Sequence, residues 1–244
     1  MIRIIQLYQK KPVFYQINLL INLAVIIIFS DYNSYFYKRT TIMTIDKVSE
    51  KIVSMLFSDN EKYPKEVYVY GLNLILSSTI TTVLLLIVGL SIGYLIETVL
   101  FIISFSFLRI FTGGLHSKSY IMCNIYTIVL FLCTISVYIF FNDYCGELTV
   151  YGPILLISIL LIKKTAPIEN EKKPMRKELY LFLKRKSLTV ILTESIILLI
   201  ANLLGCTRMR IIFPAIMVND VLMIIAYFIN YERRIFNEKM EHDD

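Results

Sequence analysis

The run VYVYGLNLILSSTITTVLLLIVGLSIGYLIETVLFIISFSFLRI, from Val67 to Ile110, is interrupted by only two charges, Glu97 and Arg109. A helix rises 1.5 Å per residue and a bilayer's hydrocarbon core is about 30 Å thick, so roughly 20 apolar residues make one crossing. The run is twice that length. Gly89 and Gly93 offer the one plausible turn before Glu97, and the stretch therefore reads as a tight hairpin of two spans, 67–88 and 90–108.

The same reading continues downstream through 121–141, 148–162, 187–206 and 211–230, each nearly free of charge. Segment 148–162 is short and should tilt little or start among the headgroups. Composition agrees with the pattern: 57% of the 244 residues are hydrophobic and the mean hydropathy is +0.66. A soluble domain of this length carries far less apolar content, so that class is excluded. The expected fold is an all-α membrane protein, a six-helix transmembrane bundle over 67–230 with a polar cytoplasmic tail at 231–244.

Charge sets the expected orientation. Between 163 and 186 stand nine basic residues (Lys163, Lys164, Lys172, Lys173, Arg176, Lys177, Lys184, Arg185, Lys186) against three glutamates. Positive loops stay in the cytoplasm, which puts this loop inside. Counting crossings places 109–120 and the tail with Arg233 and Arg234 on that same side, and the acidic loop 142–147 outside. One turn is discordant, because Arg208 and Arg210 fall outside by this count. The expected location is a cell membrane, crossed several times.

Residues 1–42 form an N-terminal extension with two readings. Lys10 and Lys11 precede the apolar segment 13–30, which suits a seventh span or a signal-anchor. Alternatively, translation begins at Met43, since 43–66 opens as an amphipathic interfacial helix followed by a polar linker. Ile45, Val48, Ile52, Met55 and Leu56 share one face, with Asp46, Lys47, Glu50 and Lys51 elsewhere. Such a helix lies in the interface plane or covers the mouth of the bundle.

The chemistry is concentrated in Arg109-Ile-Phe-Thr-Gly113-Gly114-Leu-His116-Ser-Lys-Ser-Tyr-Ile-Met-Cys123. A free thiol is mostly protonated at neutral pH, so a cysteine nucleophile generally needs an imidazole to take its proton. The chain has two histidines, and the other, His242, lies in the tail. On one continuous helix, His116 and Cys123 would stand about 10 Å apart along the axis. Proton transfer needs about 3 Å. Gly113 and Gly114 are therefore expected to break the backbone, with Cys123 opening the next span, where the helix dipole favours negative charge.

Other residues carry blander readings. Cys133 sits mid-span, and Cys145 and Cys206 lack any framework of paired cysteines. No metal site is expected, because one histidine and one cysteine without a carboxylate cluster cannot supply three ligands. Glu97, Glu194 and Asp220 are the acids expected inside spans, where an ionisable group is costly. Glu194 and Asp220 lie at comparable depth, and either could orient His116, touch a substrate, or hydrogen-bond between helices.

The Arg109-x4-Gly113-Gly114-x-His116-x6-Cys123 arrangement, the polytopic frame and the downstream stretch Ala166-Pro167-Ile168-Glu169-Asn170-Glu171-Lys172-Lys173-Pro174 resemble the accessory gene regulator B (AgrB) family of Gram-positive bacteria, over roughly 44–235. The resemblance implies a membrane cysteine endopeptidase that cuts an AgrD-like precursor peptide and helps close it into a thiolactone or lactone quorum-sensing signal. It implies His116 and Cys123 as the catalytic pair on the cytoplasmic side. Arg109 is then a carboxylate fork or loop anchor, Gly113 and Gly114 supply backbone freedom and N–H groups for an oxyanion, and Lys172 and Lys173 draw in an acidic part of the precursor.

The competing class is a small transporter or a membrane sensor without peptidase activity. An intramembrane metalloprotease is disfavoured by the missing ligands. No cofactor and no nucleic-acid partner is expected. Membrane lipid is an expected partner of the basic loop, and a homodimer is the default assembly.

Overall fold

The computed structural model describes residues 40–56, 64–113, 120–144, 148–168 and 175–242, and among them every regular element is helical. The helices are α1 (Thr40–Leu56), α2 (Lys65–Ser91), α3 (Leu95–Thr112), α4 (Tyr120–Tyr144), α5 (Leu148–Thr165), α6 (Lys177–Leu203) and α7 (Ile212–His242), with a 3-10 turn at Thr207–Ile211. Segment 13–30 lies outside the described residues.

Among the described residues, five helical stretches are long and apolar enough to cross a membrane: Lys65–Ser91, Leu95–Thr112, Met122–Asn142, Lys177–Leu203 and Thr207–Tyr231. The expected sixth span corresponds to α5, which is not among them. It ends in Lys163 and Lys164. The apolar part before those lysines, 148–162, is about 22 Å long, less than the hydrocarbon core.

The opening run is broken into two helices as expected, with the turn at Ile92–Tyr94. Gly93 has φ +78°. Its N–H bonds the carbonyl of Leu90 at 3.2 Å, and the Tyr94 N–H bonds that of Gly89 at 2.9 Å. These two bonds form a Schellman cap, which satisfies carbonyls that a helix end leaves open. Gly205 ends α6 the same way, with φ +72° and bonds from Gly205 to Asn202 and from Cys206 to Ala201.

Helix α6 starts ten residues before the expected span at 187, so the basic loop is shorter than hydropathy implied. Hydropathy reports the bilayer, not the helix. The charged stretch Lys177–Lys186 has helix-favouring residues and continues the same rod beyond the apolar zone. Lys184 and Lys186 lie over the rings of Tyr180 and Phe182, one turn earlier, at 5.8 and 5.7 Å. Lysine stems and cation–π contacts of this kind suit a helix end leaving the membrane.

The chain divides into two compact units, one within 1–95 and 117–133, the other within 96–116 and 134–244, with α4 running through both. In the first unit α2 buries Asn73, Ser77, Leu85 and Gly89, a stripe at i, i+4, i+12 and i+16, and turns Ile75, Ile87 and Leu90 outward. Small and polar residues inside with large apolar ones outside is the pattern of a helix solvated by lipid. Helix α1 packs on α2.

The packed face of α1 is not its apolar stripe. Ser49 and Val53 are buried and Asp46 accepts a hydrogen bond from Asn73 Nδ2 at 2.7 Å, whereas Val48, Met55 and Leu56 are exposed. The reason is the partner surface: α2 offers the polar Asn73 here, so the polar edge of α1 meets it. The apolar stripe is left outward, as an interfacial helix requires.

The second unit is built on aromatic packing. Tyr151 of α5 meets Phe213 of α7 edge-on at 4.6 Å, and Phe141 of α4 meets Phe213 at 5.3 Å. Leu108, Ile162, Ile191, Leu198, Ile216 and Met223 complete this core, all essentially without exposure. At the end of the unit bearing the 3-10 turn, the two discordant arginines have partners. Arg208 stands 3.8 Å from Glu97, and Arg210 donates to Asn202 and Asn142 at 3.1 and 3.0 Å. Arg208 thus faces an acid and Arg210 is held by two amides, features that loop counting does not register.

Candidate functional site

The end of α3 is fixed by its own sequence. Arg109 lies in the last turn with its guanidinium 5.6 Å over the Phe105 ring, and Phe105 stacks on Phe101 at 5.2 Å. Gly113 follows with φ +73° and donates its N–H to the Arg109 carbonyl at 3.0 Å, the single bond of an αL cap. The expected backbone break is therefore present at Gly113.

Gly113 is also required by space. The Ile168 N–H donates to the Thr112 carbonyl at 3.0 Å, and this draws the Ile168 backbone so close that a Cβ on Gly113 would stand 3.0 Å from its oxygen. The two stretches that carried the family resemblance, one ending α3 and one following α5, are thus joined through their main chains. Thr112 is fully buried, with its hydroxyl 3.5 Å from Asn219 Oδ1 on α7.

In the first unit Cys123 is the fourth residue of α4, half-buried and a free thiol. The Thr127 hydroxyl donates to its carbonyl at 2.8 Å. The next residue, Asn124, accepts hydrogen bonds from Ser77 and Thr81 of α2 through Oδ1, at 3.4 and 2.5 Å. These bonds set the rotation of α4 about its axis at the cysteine. Sequence reasoning passed over Asn124; its signal was the spacing Asn73, Ser77, Thr81 on α2, a polar stripe that needs a partner within a membrane.

His116, Gly114, Lys172 and Lys173 lie outside the described residues. Cys133 is half-buried within α4 and Cys206 is an exposed free thiol. Among the described residues, no group of three His, Cys, Asp or Glu side chains could hold a metal ion.

Of the acids buried within spans, Glu194 bonds to another helix. Glu194 accepts from Ser104 of α3 at 3.0 Å, both residues being buried, which matches the third of its three expected roles. Asp220 of α7 is buried, and Ser158 of α5, also buried, gives its hydroxyl to the Ile154 carbonyl at 3.1 Å. A carboxyl group bonded by a hydroxyl joins two helices that apolar contact alone would leave free to slide.

A feature that sequence reasoning did not find is a cavity of about 220 Å³ in the second unit, lined by Lys164, Thr165, Pro167, Ile168, Tyr180, Tyr227, Asn230 and Tyr231. It is assembled from α5, the residues after it, α6 and α7. One wall, Ile168, is the residue bonded to Thr112. Lys164, Tyr180 and the pair Tyr227 and Tyr231 stand far apart in the chain, and nothing in their spacing groups them.

The model of accessory gene regulator B matches residues 45–227. A provisionally named AgrB-like protein of Clostridium perfringens strain SM101 is 30% identical over 135 residues, covering 54% of this chain and 62% of that protein. A second from C. perfringens strain 13 is 32% identical over 136 residues, with the same coverage. One from Listeria monocytogenes is 28% identical over 196 residues, 76% of this chain and 95% of the relative. The chain thus spans less than two thirds of the clostridial relatives it matches. No solved structure matches it.

Proposed function

The chain belongs to the accessory gene regulator B family, and from that premise we propose that it is a membrane-embedded cysteine endopeptidase that cleaves an AgrD-like precursor peptide and promotes its closure into a thiolactone or lactone signal. Membership points to quorum-sensing peptide processing in general. Five apolar helices support a multi-pass membrane setting for it. The finer reading assigns roles to particular residues.

The observation that carries it is the helix break at Gly113 followed by a new helix at Tyr120, which opens three residues before Cys123. On one rigid rod His116 and Cys123 would stand two turns apart, too far for proton transfer, so this reading requires the chain to bend between them. His116 takes the Cys123 proton and the thiolate attacks a precursor carbonyl, forming a thioester and releasing the C-terminal fragment, whose amine takes that proton. A thiol or hydroxyl of the bound precursor next attacks the thioester and frees Cys123. The ring leaves in place of an acid, provided water is kept out at that stage.

Arg109 binds a precursor carboxylate or anchors the segment after α3, and N–H groups at Gly113 and Gly114 stabilise the oxyanion. Lys172 and Lys173 draw in an acidic stretch of the precursor. The excess of basic residues from Lys163 to Lys186 supports a cytoplasmic position for this chemistry.

The test is co-expression of the chain with the small peptide encoded beside it, as wild type, Cys123→Ser and His116→Ala, followed by mass spectrometry of cell-associated and secreted peptide. The wild type should yield a truncated product lighter by one water than the linear fragment, and both variants none. Unprocessed precursor in all three strains, with chain and peptide both present, would replace this reading with a transporter or sensor.

A further inference from the structure

The cavity among α5, α6 and α7 has no part in the processing chemistry, yet its wall is chemically selective. Of its lining side chains only Lys164 is ionised, none is acidic, and Tyr180, Tyr227 and Tyr231 bring phenol groups. A second cation stands close by, with the Lys184 ammonium 5.8 Å from the Tyr180 ring centre. Glu178, the acid of the first turn of α6, is not among the lining residues. Cations and hydroxyl donors without a competing carboxylate suit an anion.

The depth of the cavity narrows the choice of anion. Lys164 belongs to the last turn of α5, and Tyr231 closes the apolar stretch of α7. Tyr231 thus marks the level at which its span meets the headgroups, where tyrosine is enriched, and Lys164 lines the same cavity. Below the cavity α5 and α7 each continue as an exposed apolar track on the face that bears the lining residue. On α5 the track is Leu156 and Leu160, 58% and 56% exposed, at four-residue steps from Lys164. On α7, Ile224, Tyr227 and Tyr231 follow the helical repeat and Ile224 is 39% exposed. A soluble acidic peptide has no use for such tracks. An acyl chain does.

We propose that this cavity binds the phosphodiester headgroup of an anionic phospholipid, with Lys164 and the tyrosine hydroxyls on the phosphate and the acyl chains along Leu156, Leu160 and Ile224. Its volume is below the roughly 300–1,000 Å³ of pockets that enclose drug-sized ligands and suits a glycerophosphate group. The surrounding charges of Lys163 and Lys177 raise the local concentration of anionic lipid; Lys164 discriminates among headgroups.

Native mass spectrometry of the full-length chain in neutral detergent tests this, with titration by phosphatidylglycerol, phosphatidylcholine or glycerol 3-phosphate. The chain should retain one phosphatidylglycerol in preference to phosphatidylcholine. Lys164→Gln should weaken that binding about fivefold, and Lys163→Gln, outside the lining, should weaken it less than twofold. Equal retention of both lipids, or equal loss from both lysines, would reduce the site to diffuse surface attraction and overturn the proposal. Displacement of the lipid by equimolar glycerol 3-phosphate would reassign the site to free phosphate esters, and displacement by an acidic peptide would reassign it to peptide. None of these readouts involves processing, so they stand or fall apart from the peptidase reading.

Discussion

The two units solve the same problem with different forces. The unit bearing Cys123 joins its helices through side-chain hydrogen bonds, Asp46 to Asn73 and Asn124 to Ser77 and Thr81. The unit bearing Arg109 and Gly113 relies on a packed aromatic centre at Tyr151, Phe141 and Phe213, with the carboxyl–hydroxyl bond of Glu194 and Ser104 in the same unit. Within lipid, apolar contact gives little preference for protein over solvent, so helices associate by close packing or by polar bonds. Packing tolerates small rotations of a helix. A directed bond to Asn124 tolerates less, and the proposed nucleophile is its neighbour in sequence.

Substitutions that remove one force at a time sharpen this contrast. The largest effect should come from Phe213→Ala, which empties the middle of the aromatic cluster and should cost about 3–5 kcal/mol. Thermal unfolding of the full-length chain in detergent would register it as a clear fall in Tm. Next comes Gly113→Ala, which meets both a positive φ and the Ile168 oxygen. It should cost about 1–3 kcal/mol in the same assay. A neutral result there would mean that the Ile168 backbone gives way easily.

The smallest of the three is Asn124→Leu, which removes two membrane hydrogen bonds worth about 1 kcal/mol together. Its signature is local. Maleimide should label Cys123 faster while labelling of the exposed Cys206 stays unchanged. If both cysteines respond alike, or neither does, the polar bonds do not hold the first unit as described.

Much of this architecture was legible in the residues. The charge-free runs marked five of the six expected spans, and the glycine at 93 marked its turn because only a residue without Cβ takes φ +78° cheaply. The break at Gly113 was legible for the same reason, read from the distance between His116 and Cys123 on an unbroken helix. The early start of α6 was not, since a hydropathy window ends where charge begins although the helix continues. Nor was the packed face of α1, which depends on what α2 presents at Asn73. The cavity was hidden because its walls meet only after α5, α6 and α7 are in place.

The bond from Ile168 to Thr112 also imposes an order on assembly. All of α4 and α5 lies between its two ends, so α3 can be fully written into the membrane while its last carbonyl still lacks this partner. The bond can close only once the chain has been synthesised past α5. The segment that leads to His116 therefore acquires its final anchor late, after the helix carrying Cys123 is already in place.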